Sequence, residues 1–293
     1  DKLGNRSNAS AEVELEGAWA ELVGEEGRGV PTIIEMVNHT RLDCVVGAAA
    51  GMRQAVAQAT HHARHRRAFG RDLADHPLME QVLADLAVES EAATAVALRL
   101  ARAYDEAPVD AGEKAFARLA TAVAKYWTCK RHPAVVGEAL ECLGGNGYVE
   151  ESIMPRLFRE SPLNGIWEGS GNVICLDVMR AMARQPASVD AFLGEVGKAA
   201  GTDRRLDGAT ARLAADLAAA AGRDREAVEA GARRLVERMA TVLQASLLVR
   251  SGPPAVADAF CAGRLEEGAG RAFGTLPGGL DVAAVVERAT PKL

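Results

Sequence analysis

One carboxylate, Glu168, stands among residues whose types would suit it to act as a base. It lies in the stretch RESPLNGIWEGSGN at residues 159–172. Gly169 and Gly171 would let the backbone take a positive φ or approach a bound molecule closely. Trp167 offers a flat apolar wall, which would raise the pKa of a neighbouring carboxyl towards a value useful for a general base. The stretch is typical of a loop that presents Glu168.

The same residues also suit a plainer role at the start of a helix. Ser170 or Asn172 would cap the apolar run at residues 173–182, because short polar side chains accept from the free N–H groups of a first helical turn. Glu168 would then be solvated beside the positive end of the helix dipole. Composition alone leaves both interpretations open.

A glycine cluster lies upstream of this stretch, in the sequence ECLGGNGY at residues 141–148. Gly144 and Gly145 would end a helix and leave several backbone N–H groups free to bind an anion. A helix C-cap followed by an ordinary turn is the alternative for any such glycine pair.

A basic segment with one aromatic residue precedes both stretches. It reads RRAFGRDL at residues 66–73 and is followed by His76. The guanidinium group of Arg66 suits phosphate oxygens, and the ring of Phe69 suits the face of a base. Without further context, the histidines and arginines at residues 61–67 are equally typical of a solvated basic helix end.

In order and spacing, the basic segment, the glycine cluster, the RLFR sequence at residues 156–159 and the Trp-Glu-Gly stretch resemble the acyl-CoA dehydrogenase superfamily of flavoproteins. The resemblance implies FAD as cofactor and an acyl-CoA as substrate. It also implies a homo-oligomer, a dimer or tetramer, because this family's basic segment and glycine turn serve the flavin of a neighbouring subunit.

The resemblance also implies a reaction. Glu168 stands where the family's base removes the acyl α-proton while hydride leaves the β-carbon for the flavin, which needs a partly desolvated carboxylate held rigidly. Arg41, in the sequence NHTRLD at residues 38–43, stands where the family has an arginine near that glutamate. Its alternative is a surface arginine on a helix.

The implied cofactor contacts match the family position by position, with two departures. Glu141 replaces the usual glutamine, and a carboxylate there would repel phosphate unless it is protonated or turned away. Ser170 and Asn172 stand where the family commonly has Thr-x-Gln, so hydroxyl and amide chemistry is kept. The full set of implied FAD contacts is Arg66, Phe69, Leu73, His76, Met79, Glu141, Gly144, Gly145, Trp167, Ser170 and Asn172.

Composition limits the class of protein. The chain has 293 residues, of which 48% are hydrophobic and only 4% aromatic, which favours helices. Its net charge of −6 means that nucleic-acid binding would need a local basic patch. No apolar run is long enough to span a membrane. The five cysteines and six histidines lack metal-ligand spacing, so we expect no metal site and a reducing cytoplasm.

Hydrophobic periodicity predicts three regions. Residues 1–28 alternate polar and apolar residues, which predicts a strand. The resemblance implies that they are the last strands of a middle β-domain, so we expect the chain to be a fragment. Residues 29–185 are expected to form an antiparallel four-helix bundle, which the resemblance identifies as the FAD and oligomerisation domain. Its predicted helices lie near 31–67, 77–103, 112–143 and 170–184. A mainly α fold follows.

Residues 186–293 are expected to form an extra helical domain, with helices near 189–221, 225–250 and 254–262 and a short last helix. Ser188 is the predicted N-cap of the first. This extension resembles the AidB-type DNA-alkylation-response subgroup. A DNA-binding flavoprotein with little turnover is therefore an alternative to a dehydrogenase, and a helical oligomerisation module is a third. The arginines that would form a DNA-binding face are Arg204, Arg205, Arg212, Arg233, Arg234 and Arg238.

Overall fold

The computed structural model describes residues 1–221, 224–266 and 270–292 and is mainly helical. The helices are α1 (Gly29–His65), α2 (Pro77–Glu106), α3 (Ala111–Cys142), α4 (Gly145–Tyr148), α5 (Met154–Glu160), α6 (Gly171–Arg184), α7 (Pro186–Gly197), α8 (Arg204–Ala221), α9 (Arg225–Ser251), α10 (Pro254–Arg264) and α11 (Val282–Ala289). None of these helices is long and apolar enough to cross a membrane.

The three longest helices, α1, α2 and α3, pack against one another and form the centre of the fold. Helices α2 and α3 run antiparallel, since Arg99 pairs with Glu113 near their connection and Glu89 pairs with Arg131 farther from it. Their facing sides are rich in alanine, valine and leucine, which lets the backbones approach closely. Helix α6 packs on α3 and completes the predicted set of four bundle helices. The predicted helix positions are confirmed to within a few residues at each end.

A short hairpin follows α1. Strand β1 (Arg67–Ala68) pairs antiparallel with β2 (Arg71–Asp72). Phe69 and Gly70 form the two-residue turn, with φ of 52° and 87°. Two successive positive φ values match the twist that a tight hairpin requires. The sequence predicts strands within residues 1–28 alone and no hairpin here, so that prediction is wrong.

The strand predicted within residues 1–28 does not form. Residues 9–15 form neither helix nor strand, and residues 7–29 are exposed. A strand satisfies its backbone N–H and C=O groups through a neighbouring strand, and the described residues place none beside this segment. Alternating polarity alone therefore does not produce a strand here.

The extension contains one more break than periodicity predicts. The helix expected at 189–221 is divided into α7 and α8 by residues 198–203. Gly201 has a φ of 78°, and the Asp203 carboxylate accepts from the backbone N–H of Arg205 at 2.8 Å. Ser188 is not the N-cap of α7, because that helix begins at Pro186, where a proline is well tolerated.

One buried carboxylate joins the extension to the bundle. Glu195 on α7 is 2% exposed in its side chain and pairs with Arg99 of α2 at 2.9 Å. It also pairs with Arg250 of α9 at 2.8 Å and with Lys198 at 2.7 Å. Burial alone would raise the pKa of Glu195, but the hydrogen bonds from these cations outweigh that effect and hold the pKa well below its ordinary value.

We predict that Glu195→Gln lowers the free energy of unfolding by about 3–5 kcal/mol at pH 7, because Arg250 loses its anion and Arg99 keeps only Glu113 while its side chain stays buried. The folded-state pKa of Glu195 is depressed, so its contribution is present above the ordinary value of 4.5 and is lost as pH falls below it. Urea unfolding from pH 7 down to pH 3 measures both effects.

Glu106→Gln is the matched control, since Glu106 pairs with Arg102 at an exposed position on α2. Exposed pairs contribute about 1 kcal/mol or less. Equal losses in the two variants, or a Glu195 effect that does not shrink in acid, would contradict this assignment.

Candidate functional site

The residues around Glu168 form a loop, as predicted. This Glu168 loop (residues 163–170) begins with a 3₁₀ turn at Leu163–Gly165 and ends where α6 starts. Glu168 itself has a φ of 57° and Gly169 has a φ of 110°. A positive φ is costly for a residue with a side chain, so surrounding contacts must hold Glu168 in this conformation. Gly171 needs no such freedom, because it is the first residue of α6.

Two buried cations hold the backbone of the Glu168 loop. Lys125 Nζ, on α3, donates to the carbonyl oxygens of Trp167 at 2.9 Å and Gly169 at 2.5 Å. Arg41 Nε, on α1, donates to the carbonyl oxygen of Glu168 at 3.1 Å. Three successive carbonyl groups are thus bound by cations from two different helices, and the half-buried Glu168 side chain is carried on a fixed backbone.

Asp177 on α6 orients Arg41. Its carboxylate accepts from Arg41 Nη1 at 2.8 Å and from Arg118 at 3.1 Å. Arg41 and Asp177 are each 8% exposed, so both charges are compensated inside the protein. Arg41 is therefore not the surface arginine of the alternative interpretation. It lies beside Glu168 as predicted, but it contacts the backbone carbonyl.

Two thiols line the buried side of this group. Cys129 Sγ donates to the carbonyl oxygen of Cys44 at 3.5 Å, and both residues are almost fully buried. Burial raises the pKa of Cys44 and raises the pKa of Cys129 to about 12, so these thiols stay protonated at neutral pH. Burial also lowers the pKa of Lys125. A lysine nitrogen donates hydrogen bonds in either protonation state, so its contacts with the loop do not require full charge.

The aromatic and polar residues of the loop are partly exposed. Trp167 is 41% exposed, and its indole N–H donates to Asn164 Oδ1 at 2.8 Å. Ser170 occupies the N-cap position of α6, but its side chain makes no capping hydrogen bond. Asn172 Oδ1 accepts from Arg233 Nε of α9 at 2.8 Å, so the extension contacts a predicted cofactor residue.

The other predicted cofactor residues lie at the far ends of α1 and α3. Arg66 is the C-cap of α1, and its carbonyl oxygen accepts from the N–H of Leu73 at 2.9 Å. Phe69 is 92% exposed and makes an edge contact with His76 at 6.0 Å between ring centroids. Met79, on the first turn of α2, packs against the core. We call Arg66, Phe69, Leu73, His76 and Met79 the hairpin group.

The glycine cluster follows α3 directly. Glu141 is exposed in the last turn of that helix. Gly144 has a φ of 57°, which explains the choice of glycine, and Gly145 begins α4. A Cβ built on either glycine would meet no atom within 4 Å, so the space beside this backbone is open.

Two residues of the site were missing from the sequence-based prediction. Lys125 stands within the apolar part of α3, and Asp177 lies on the buried face of α6 between Ile174, Cys175 and Val178. A charged residue on an otherwise apolar helix face is the signal that marks such positions. Their partners are far away in sequence and could not be named from it. Within the described residues, no group of three or more side chains is arranged to hold a metal ion.

The protein-family model for the acyl-CoA dehydrogenase C-terminal domain matches residues 27–183, which is more than half of the chain. The chain belongs to the acyl-CoA dehydrogenase family. The family predicted from the motifs is thereby confirmed, and the helical fold agrees with it.

Two relatives show how far the similarity extends. AidB of Escherichia coli (strain K12) is 43% identical over 261 residues, which cover 89% of this chain and 47% of that protein. Acyl-CoA dehydrogenase family member 11 of Caenorhabditis elegans is 33% identical over 210 residues, covering 71% of this chain and 34% of that protein. The chain spans half or less of the length of these relatives. The match to AidB continues well into the extension.

Solved structures give the same assignment. Caenorhabditis elegans ACDH-11 in complex with C11-CoA superposes with a TM-score of 0.84 at 28% identity, over 90% of this chain and 49% of that one. The Bacillus anthracis acyl-CoA dehydrogenase complexed with FAD gives a TM-score of 0.67 at 19% identity, over 81% of this chain and 48% of that one. The second likeness concerns the fold alone.

We predict that Gly169→Ala destabilises the protein by about 1–2 kcal/mol, because a Cβ is strained at a φ of 110° and would stand 3.0 Å from Ile174 Cδ1. The control is Gly231→Ala in α9, where a Cβ meets nothing within 4 Å and should add about 0.5–1 kcal/mol. Urea unfolding measures both values. A stabilising Gly169→Ala change would show that the loop does not keep this conformation.

Proposed function

We propose that this chain is part of an FAD-dependent flavoenzyme that oxidises an acyl thioester between its α and β carbons, with Glu168 as the base. The observation that carries the proposal is the binding of three successive loop carbonyl groups by Lys125 and Arg41. Removal of a weakly acidic C–H proton needs a carboxylate that is held rigidly and is partly desolvated. Membership of the family supports the reaction class.

We propose the following roles for the protein groups. FAD, when bound, supplies the acceptor for the hydride that leaves the β-carbon. Glu168 takes the α-proton onto a carboxylate oxygen. Lys125 and Arg41 act on the loop backbone, and Asp177 keeps the Arg41 guanidinium aligned with the Glu168 carbonyl. The five cysteines are free and buried, which supports our proposal of a reducing cytoplasm.

The hairpin group and the glycine turn fit a dinucleotide. Arg66 is exposed and makes no side-chain hydrogen bond within the described residues, so its guanidinium is available to phosphate oxygens. The exposed ring of Phe69 is available to stack on a base. Gly144 and Gly145 leave open backbone where a diphosphate could approach. We propose that these residues bind the adenine and diphosphate part of FAD.

We further propose that these residues serve the FAD of a neighbouring subunit. Arg41 and His65 are 24 residues apart on α1, which corresponds to about 36 Å along the helix. Because of this separation, we propose that Glu168 and the hairpin group serve different cofactors. In a homo-oligomer, the hairpin group of one subunit would bind the FAD that lies beside Glu168 of a neighbouring subunit. A monomer with one FAD per chain, observed by light scattering, would contradict it.

The DNA-binding alternative depends on free arginines in the extension. Arg205 pairs with Asp203 and Asp258, and Arg238 pairs with Asp216. Arg233 donates to Asn172 and Arg212 donates to the Leu265 carbonyl. Arginines that already have partners contribute less to phosphate binding, so the contacts favour the dehydrogenase proposal over a DNA-binding one.

We predict that Glu168→Gln in the full-length protein reduces the rate of flavin reduction by an acyl-CoA by about 10²–10⁴-fold, because the amide keeps the shape of the side chain but cannot accept a proton. FAD content should not change. Anaerobic stopped-flow absorbance with C11-CoA, the ligand of ACDH-11, measures the rate. Glu160→Gln, one of the nearby carboxylates outside the Glu168 loop, is the control.

Unchanged flavin reduction in the Glu168→Gln variant would assign the base to another group. If the wild-type flavin is not reduced by any acyl-CoA of a chain-length series, while the protein binds DNA in a salt-sensitive way, the DNA-binding alternative replaces the dehydrogenase.

A further inference from the structure

Lys125 binds the Glu168 loop but belongs to none of the sequence motifs, and its surroundings are unusual. The residue is 1% exposed, in the middle of α3. No carboxylate of the described residues lies within 4.0 Å of its Nζ, whereas Arg41 has Asp177. A buried lysine is costly unless its donors are satisfied. Here the loop accepts two hydrogen bonds from it.

The two acceptors of Lys125 flank Glu168 in sequence. They are the carbonyl oxygens of Trp167 and Gly169, at 2.9 Å and 2.5 Å. The peptide groups on the two sides of Glu168 carry the carbonyl oxygens of Trp167 and Glu168; Lys125 binds the first and Arg41 binds the second. Fixing both peptide groups fixes φ and ψ of Glu168, which has the uncommon φ of 57°. Loss of one such contact would let the loop relax towards an ordinary conformation and turn the carboxylate.

Arg41 cannot replace Lys125 in this role. Its Nε reaches only the Glu168 carbonyl oxygen, and its Nη1 is committed to Asp177. The two cations also approach from different helices, so each restrains a different peptide group. Lys125 holds the peptide group before Glu168 and the one after Gly169, and Arg41 holds the peptide group between Glu168 and Gly169.

We infer that Lys125 is a positioning residue for the base: together with Arg41, it holds Glu168 in its left-handed conformation, through the carbonyl groups of Trp167 and Gly169 and without touching the substrate. The part of this inference that concerns catalysis rests on the proposed function. The part that concerns the loop does not, and the two are tested separately.

The loop is tested first, by hydrogen–deuterium exchange in the full-length protein. The N–H groups of Ile166 and Trp167 both donate to the Leu163 carbonyl oxygen, so their exchange reports opening of the loop. Lys125→Met keeps an unbranched side chain that is one atom shorter and removes the donors. We expect exchange at these two amides to become about 10- to 100-fold faster, the effect of losing charged hydrogen bonds.

Two further variants define the comparison. Lys114→Met changes an exposed lysine on the same helix and should leave the loop amides unchanged. Lys125→Gln keeps one donor group and should give an intermediate rate of exchange. It also provides a test if the methionine variant does not fold. Loop exchange in folded Lys125 variants that equals the wild-type rate would overturn the inference.

The catalytic part is tested by separating chemistry from binding. In Lys125→Met, the rate constant for flavin reduction by C11-CoA should fall about 100-fold, the scale of a misplaced reacting group, with FAD content and the Kd for C11-CoA changed less than about threefold. In a Glu168→Gln background, the same substitution should have no further effect, because it acts through Glu168.

The outcomes separate the inference from the proposed function. A parallel loss of FAD or C11-CoA binding, or an additive effect in the Glu168→Gln background, would reduce Lys125 to a structural role and overturn the catalytic part. If the wild-type flavin is not reduced while loop exchange still responds to Lys125→Met, the proposed function fails and the positioning of Glu168 by Lys125 is supported.

Discussion

The structure of the site depends on the need of buried cations for partners. Lys125 and Arg41 lie in a helix interface built from small apolar residues, where an unsatisfied charge is costly. The carbonyl oxygens of residues 167–169 and the carboxylate of Asp177 meet that need. The same contacts that make these charges tolerable fix the loop, so the stability of the interface and the position of Glu168 have one physical cause.

Local rules in the sequence were sufficient for much of this fold. The long helices follow from apolar spacing, and the positive φ of Gly169 follows from glycine chemistry next to Trp167 and Glu168. The strand expected before residue 28 does not form, because a strand depends on a distant partner. The helix expected at 189–221 is interrupted, because a local turn at Gly201 breaks it. Lys125 and Asp177 were not predicted as site residues because their partners lie far away in the chain.

The extension is joined to the bundle through charged groups as well as through apolar packing. Glu195 connects α7 to Arg99 and Arg250, Arg264 pairs with Asp85 and Glu89 of α2, and Arg233 reaches Asn172 at the start of α6. A displacement of α9 would therefore act, through Arg233 and Asn172, on the end of the Glu168 loop. Four of the six arginines named for a DNA-binding face, Arg205, Arg212, Arg233 and Arg238, are instead bonded to other groups of the protein.

The distance from Glu168 to bound substrate tests this account most directly. It should be measured in a crystal structure of the full-length protein with FAD and C11-CoA. We expect a carboxylate oxygen of Glu168 about 3–3.5 Å from the acyl α-carbon, with Lys125 Nζ still bound to the carbonyl oxygens of Trp167 and Gly169. A carboxylate turned away from the α-carbon, or a Lys125 that has left both carbonyl groups, would contradict it.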